Sequence, residues 1–140
     1  MENVWKTRNQ ECSELKPEQE ALALEVTTQI AEKWTLSTLA VLAEEGAALR
    51  FSRLQARVDG ISQKSLTKTL RQLERDGLVR RVFFPEVPPR VEYTITTLGL
   101  GLLEQIHPLW LWAVANVEKF EKSRRDYDRK LTKQPKPARG

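Results

Sequence analysis

Residues 62–81 constrain the fold more than any other part of this 140-residue chain. Leu66, Leu70 and Leu73 recur at three- and four-residue spacing, the period of one helix face, with Ile61 just before them. Gln63, Lys64, Thr67, Lys68, Arg71 and Arg75 fill the positions between, so a helix over 62–76 has an inward apolar stripe and a cationic outer face. Ser62 stands where a hydroxyl can accept a free backbone N–H of the first turn, and Gly77 stops the helix. The period then falls to two. Val79, Arg81 and Phe83 alternate with Leu78, Arg80, Val82 and Phe84, as in a strand. Val91, Tyr93 and Ile95 alternate with Glu92, Thr94 and Thr96 in a partner strand. Residues 85–90 join the two, and three prolines in that loop stiffen it and keep it from continuing the sheet.

The flanking segments supply packing partners. Pro17 suits the first turn of a helix, where its missing N–H costs nothing. Leu22, Val26 and Ile30 then recur every four residues, and Trp34 continues the series. A second helix is expected over 36–44, with Leu36, Leu39, Ala40 and Ala43 on one face and Gly46 as its cap. Residues 48–51 read as a short strand. Ser52 and Gln55 have the spacing of a capping box, with Leu54 and Val58 on the buried side of the helix they open. Asp59-Gly60 makes the tight corner to Ser62. After the hairpin, Thr96 or Thr97 caps a long helix carrying Leu98, Leu102, Ile106, Leu109, Trp112, Ala113 and Val117, with a kink or break expected at Pro108. Gly99 and Gly101 are expected to permit close helix packing.

The organisation is therefore a flexible arm over 1–16, one domain over 17–125 and a disordered basic tail over 126–140. The fold class is mainly α with a small antiparallel β-hairpin, and the order of parts is that of a winged helix-turn-helix.

Charge sharpens the reading. The net charge is +4, but residues 49–90 hold ten basic and four acidic side chains, and 119–140 hold nine and three, while 1–48 are net negative. Concentrated positive charge suits a polyanion better than a uniform surface would. No run approaches the roughly 18 apolar residues that span a bilayer, and the first sixteen residues lack an apolar signal core, so a cytoplasmic location without membrane association is expected. Cys12 is the single cysteine, which excludes an internal disulfide. One Cys and one His, His107, cannot build a structural zinc site. No glycine-rich phosphate loop and no nucleophile–histidine–acid set can be assembled, so no catalytic residue, metal or cofactor is assigned and an enzyme is not expected.

Double-stranded DNA is the partner that this pattern predicts. The helix 62–76 enters a major groove, with Ser62, Gln63, Lys64, Ser65, Thr67, Lys68 and Arg71 on the DNA side. Gln63 and Arg71 can pair bidentately with adenine and guanine edges. Arg53, Arg80, Arg81 and Arg90 are assigned to phosphates, where they give affinity and orientation without reading sequence.

The chain also resembles HxlR-type transcriptional regulators, a winged-helix group near the MarR regulators. The matching residues are Lys33-Trp34-Thr35-Leu36, Arg50-Phe51-Ser52-Arg53-Leu54, Gly60-Ile61-Ser62, Leu73-Glu74-Arg75-Asp76-Gly77-Leu78-Val79 and, most specific, Val87-Pro88-Pro89-Arg90-Val91-Glu92-Tyr93. The resemblance runs over roughly residues 20–115. It implies a homodimer, joined through its N- and C-terminal helices, on a pseudo-palindromic operator near the promoter it controls. Many members carry a Cys-Pro pair where this chain has Ala21-Leu22, and a Gly-Lys-Trp where it has Glu32-Lys33-Trp34. Thiol sensing is therefore not expected. Two other readings stay open. One is a ligand-responsive regulator with an aromatic effector pocket at the dimer interface, framed by Trp34, Phe51 and Trp112. The other is a winged helix used as a protein-interaction module, which the basic face of helix 62–76 disfavours.

Overall fold

Six helices and one three-stranded sheet make up the described residues, 15–133, of the computed structural model. They run α1 (Pro17–Ile30), α2 (Lys33–Glu45), β1 (Leu49–Arg50), α3 (Phe51–Arg57), α4 (Gln63–Arg75), β2 (Val79–Phe84), β3 (Arg90–Ile95), α5 (Thr97–Ala115) and α6 (Val117–Lys133). The chain divides into two compact units, Met1–Leu100 and Gly101–Gly140.

In the first unit, the sheet order is β1-β3-β2 and both pairings are antiparallel. β3 is central, with Tyr93 facing Leu49 on one side and Arg81 on the other. The core is Leu39 and Leu42 of α2, Leu49, Leu54, Val58, Ile61, the α4 stripe Leu66, Leu70 and Leu73, then Leu78, Val79 and Tyr93. Burying one such side chain contributes about 1.5–3 kcal/mol, enough to fix which face of α4 turns inward and therefore which face turns out. The leucine stripe of α4 behaves as its spacing predicts.

The helix-turn-helix corner lies between α3 and α4. Gly60 has φ +78° and Gly77, at the end of α4, has φ +73°, backbone regions that cost other residues but not glycine. Ser62 caps α4, its Oγ accepting the Ser65 N–H at 3.1 Å. Thr96 caps α5 by accepting the Gly99 N–H at 3.1 Å, and donates its own hydroxyl to the Gly77 carbonyl at 2.6 Å. Thr96 thereby ties the stop of α4 to the start of α5. Gly99 is buried, and a Cβ there would collide with the Leu78 carbonyl and stand 2.7 Å from Ile95 Cγ1. Gly101 has open space around it, so the close packing expected of both glycines holds for Gly99 alone. The wing loop contains a cis Val87–Pro88 bond.

Several local expectations are corrected. The series Leu22, Val26, Ile30, Trp34 does not run on one helix: α1 ends at Ile30, and Trp34 lies in α2. The buried face of α2 is Thr35, Thr38, Leu39 and Leu42, one residue round from Leu36, Leu39, Ala40 and Ala43. Apolar character alone misplaces it because two threonines face the core. Ser52 does not cap α3. Arg50 pairs with Glu92 in the sheet, its extended backbone is already the N-cap, and the helix starts at Phe51. Gln55 points instead across the corner, with Nε2 3.5 Å from the Ile61 carbonyl. Of the kink or break expected at Pro108, the break does not occur there, since α5 continues through Pro108; the helix ends at Asn116, whose side chain donates to the Trp112 carbonyl at 2.8 Å.

In the second unit, the tail expected to be disordered from residue 126 is helical as far as Lys133. Ion pairs one turn apart, Glu121–Arg125 and Lys122–Asp126, lie along it, and each such pair supports a helix by a few tenths of a kcal/mol, about 0.2–0.5. Pro135 is the first proline after Pro108, so nothing in the chain stops α6 earlier. The arm 1–14, with Cys12, and the segment 134–140 lie outside the described residues.

Candidate nucleic-acid interface

α4 presents its polar face as the sequence arranges it. Gln63, Lys64, Lys68 and Arg71 are exposed, while Ser65 and Thr67 are half-buried. Thr67 bonds back to the Gln63 carbonyl at 2.8 Å. Ser62 and Ser65 share a hydroxyl–hydroxyl bond of 3.0 Å at the helix start, so two of the expected contact residues are also occupied in capping. Among the described residues, none of Lys64, Lys68, Arg71, Arg53, Arg80 or Arg81 makes an ion pair with a carboxylate. These cations are therefore available to an external polyanion.

The wing sorts its arginines by strand geometry, because alternate side chains leave opposite faces of a sheet. Arg81 is opposite Tyr93 and Arg80 is opposite Thr94, so the two neighbours point to different faces. Arg81 lines a cleft of about 540 Å³ between α4 and the sheet, shared with Gln63, Thr67, Arg71 and Glu74 of α4. Arg80 is exposed on the other face. Arg53 is exposed on α3. Arg90 differs from the rest. Its guanidinium lies 4.1 Å over the Phe84 ring, 3.2 Å from Glu86 and 3.5 Å from Glu92, so the wing itself engages the residue assigned to phosphate. Arg57, beside the corner, bonds to Glu45 and lies 3.4 Å from Glu44, which fastens α3 to the end of α2.

The three aromatics assigned to an effector pocket have these surroundings. Phe51 forms part of the cleft between α4 and the sheet. Trp34 packs beside Gly60, under the Lys33 ammonium at 4.6 Å. Trp112 makes an edge contact with Phe120, ring centroids 5.8 Å apart. Sequence reasoning missed Glu74. It lies eleven residues after Gln63 and three after Arg71, on the same helix face, and that spacing was the available signal.

Among the described residues, no three His, Cys, Asp or Glu side chains are grouped to hold a metal ion, and no helix is long and apolar enough to cross a membrane.

A recognition-type helix behind a tight corner, followed by an antiparallel wing, defines a winged helix-turn-helix DNA-binding domain. Comparison with known proteins makes the class narrower. The HxlR-like helix-turn-helix family profile matches residues 29–121, and the chain belongs to that family. An uncharacterized HTH-type transcriptional regulator of Methanothermobacter thermautotrophicus is 42% identical over 84 residues, 60% of this chain and 63% of that one. The HTH-type regulator YtfH of Escherichia coli is 37% identical over 93 residues, 66% of this chain and 72% of YtfH. The solved structure of the transcriptional regulator ytfH from Salmonella typhimurium superposes with a TM-score of 0.63 at 33% identity, covering 74% of this chain and 90% of the other. The match thus spans just under two thirds of the Methanothermobacter thermautotrophicus relative's length. All three are named as transcriptional regulators.

Proposed function

We propose that this chain is a homodimeric transcriptional regulator that binds a pseudo-palindromic operator in double-stranded DNA. The observation that carries the reading is the outer face of α4. Gln63, Lys64, Lys68 and Arg71 are exposed there, and their cations have no internal carboxylate partner among the described residues. α4 enters the major groove, where Arg71 reads a guanine and Gln63 an adenine. Lys64, Lys68, Arg53, Arg80 and Arg81 neutralise phosphates on either side. The regulator works in the cytoplasm, where its operator is, and bound across a promoter it acts as a repressor by occlusion.

The homodimer has its own support. Leu109, Trp110, Leu111, Trp112 and Val114 are each half or more exposed on α5, an apolar run that a second copy would cover. Two-fold symmetry then sets half-sites about one helical turn apart, about 34 Å.

Selection of bound duplexes from a random pool, followed by fluorescence anisotropy on the winning sequence, tests the reading. A palindromic consensus and a protein mass of two chains per duplex are expected. If Arg71→Ala and Arg81→Ala both leave affinity for that duplex unchanged, this placement of α4 and the wing is wrong.

A further inference from the structure

Thr67 stands between the two side chains assigned to base reading. Gln63, Thr67 and Arg71 follow one another at four-residue spacing along α4, one ridge of the helix. At about 1.5 Å per residue, Gln63 and Arg71 lie about 12 Å apart along the axis. At about 3.4 Å per base pair, that interval spans about three to four pairs, and Thr67 sits at its middle.

α4 itself narrows what Thr67 can do there. Its hydroxyl donates to the Gln63 carbonyl at 2.8 Å, so it has no proton left for the acceptors of guanine, for adenine N7 or for thymine O4. What faces outward is a methyl group and one acceptor lone pair. The longer side chains of Gln63, Lys64, Lys68 and Arg71 stand round Thr67 and line an open hollow in which it is a short member. The aliphatic stems of those side chains wall the hollow, while their polar ends reach beyond it. A side chain as short as threonine touches a base only where the base projects toward it. In the major groove thymine alone projects a methyl. The amino group of adenine or cytosine would lose water against the hydrocarbon stems, whereas a methyl gains from the same desolvation.

We propose that Thr67 reads a thymine by methyl–methyl contact, at a base pair lying between those read by Gln63 and Arg71. Thr67 is then a specificity-determining residue without a polar base contact, held in its rotamer by the bond to Gln63. The assignment rests on the placement of α4 in the major groove and adds base identity at a position that neither long side chain covers.

The test takes the duplex obtained by selection and replaces each thymine of its half-sites in turn, on both strands, by deoxyuridine, which lacks only the methyl. Anisotropy with the full chain should find one position where affinity falls about fourfold, the scale of one buried methyl group. That position should lie between the pairs relaxed by Gln63→Ala and by Arg71→Ala. Thr67→Ser, which deletes the methyl and keeps the hydroxyl, should bind the thymine and uracil duplexes equally. Thr67→Val, which keeps a methyl and deletes the hydroxyl, should retain the fourfold difference. Each comparison is a ratio of two affinities for one protein, so a variant's own change in stability cancels. No sensitive thymine between the two pairs, or the same sensitivity in Thr67→Ser as in the parent, overturns the contact. Loss of the difference in Thr67→Val gives the contact to the hydroxyl and overturns it equally. A parent that binds its duplex without any deoxyuridine effect sinks the thymine contact alone. A parent that binds no duplex removes the placement of α4 and this contact with it.

Discussion

The guanidinium of Arg90 lies 4.1 Å above the ring of Phe84, its cross-strand partner at the mouth of the wing loop. Glu86 in the loop and Glu92 on the same strand flank the charge. Phe84 and Arg90 are the last pair before the loop, so this contact closes the hairpin where prolines prevent further ladder bonds. A cation–π contact contributes about 0.5–1 kcal/mol at exposed sites and more where desolvated. Arg90 therefore shapes the wing, while Arg81 is left free to meet an external anion.

That division separates two substitutions of the same residue type. Arg90→Ala should loosen the hairpin, reducing amide-exchange protection in β2 and β3 by the equivalent of about 1 kcal/mol. It should leave the slope of log affinity against log salt unchanged. Arg81→Ala should leave exchange protection alone and flatten that slope by about 0.9, the value of one lost phosphate contact. Salt titrations of duplex binding, run beside exchange measurements, check both; a slope that falls with Arg90→Ala would return Arg90 to the phosphate contacts.

Arg71→Ala should act on sequence preference. Loss of a bidentate base contact costs about 1–3 kcal/mol against the preferred base. Repeating the duplex selection with the variant should show one position per half-site relaxed and the others kept. A uniform loss across all sequences would instead mean that Arg71 touches backbone.

Gly99→Ala should destabilise the first unit. The added methyl meets the Leu78 carbonyl and the Ile95 side chain, and overpacking of this kind costs about 1–3 kcal/mol. Chemical denaturation should show a lower midpoint. Gly101→Ala, with nothing within 4 Å, should match or slightly exceed the parent, since alanine is the better helix former by about 1 kcal/mol.

Thr38 is fully buried, and its Oγ1 has no hydrogen-bond partner among the described residues. Thr38→Val keeps the shape and removes the unsatisfied hydroxyl, so stability should rise by about 1 kcal/mol, read as a higher melting temperature. A drop would show that a bound water completes that hydroxyl.

The sequence by itself determined the parts that depend on local periodicity and local chemistry. The leucine stripe 66, 70, 73 had to face inward, Ser62 had a free N–H to cap, and glycine at 60 and 77 allowed positive φ. The basic face of α4 followed, because fixing one side of a helix fixes the other. Two-residue alternation likewise made the hairpin legible. The helix boundary at Phe51 was not legible, since it comes from the pairing of Arg50 with Glu92 forty-two positions along the chain. Nor was the buried face of α2, where Thr35 and Thr38 take core positions that apolar patterning gave to Leu36 and Ala40. Four arginines of the wing and corner read alike in sequence: Arg57, Arg80, Arg81 and Arg90. Only the tertiary structure separates them. Carboxylates from α2 meet Arg57, the pleat sends Arg80 and Arg81 to opposite faces, and Phe84 lies under Arg90. A side chain's type sets what it can bind, but strand register and neighbours brought from elsewhere in the chain decide whether it is still free to do so.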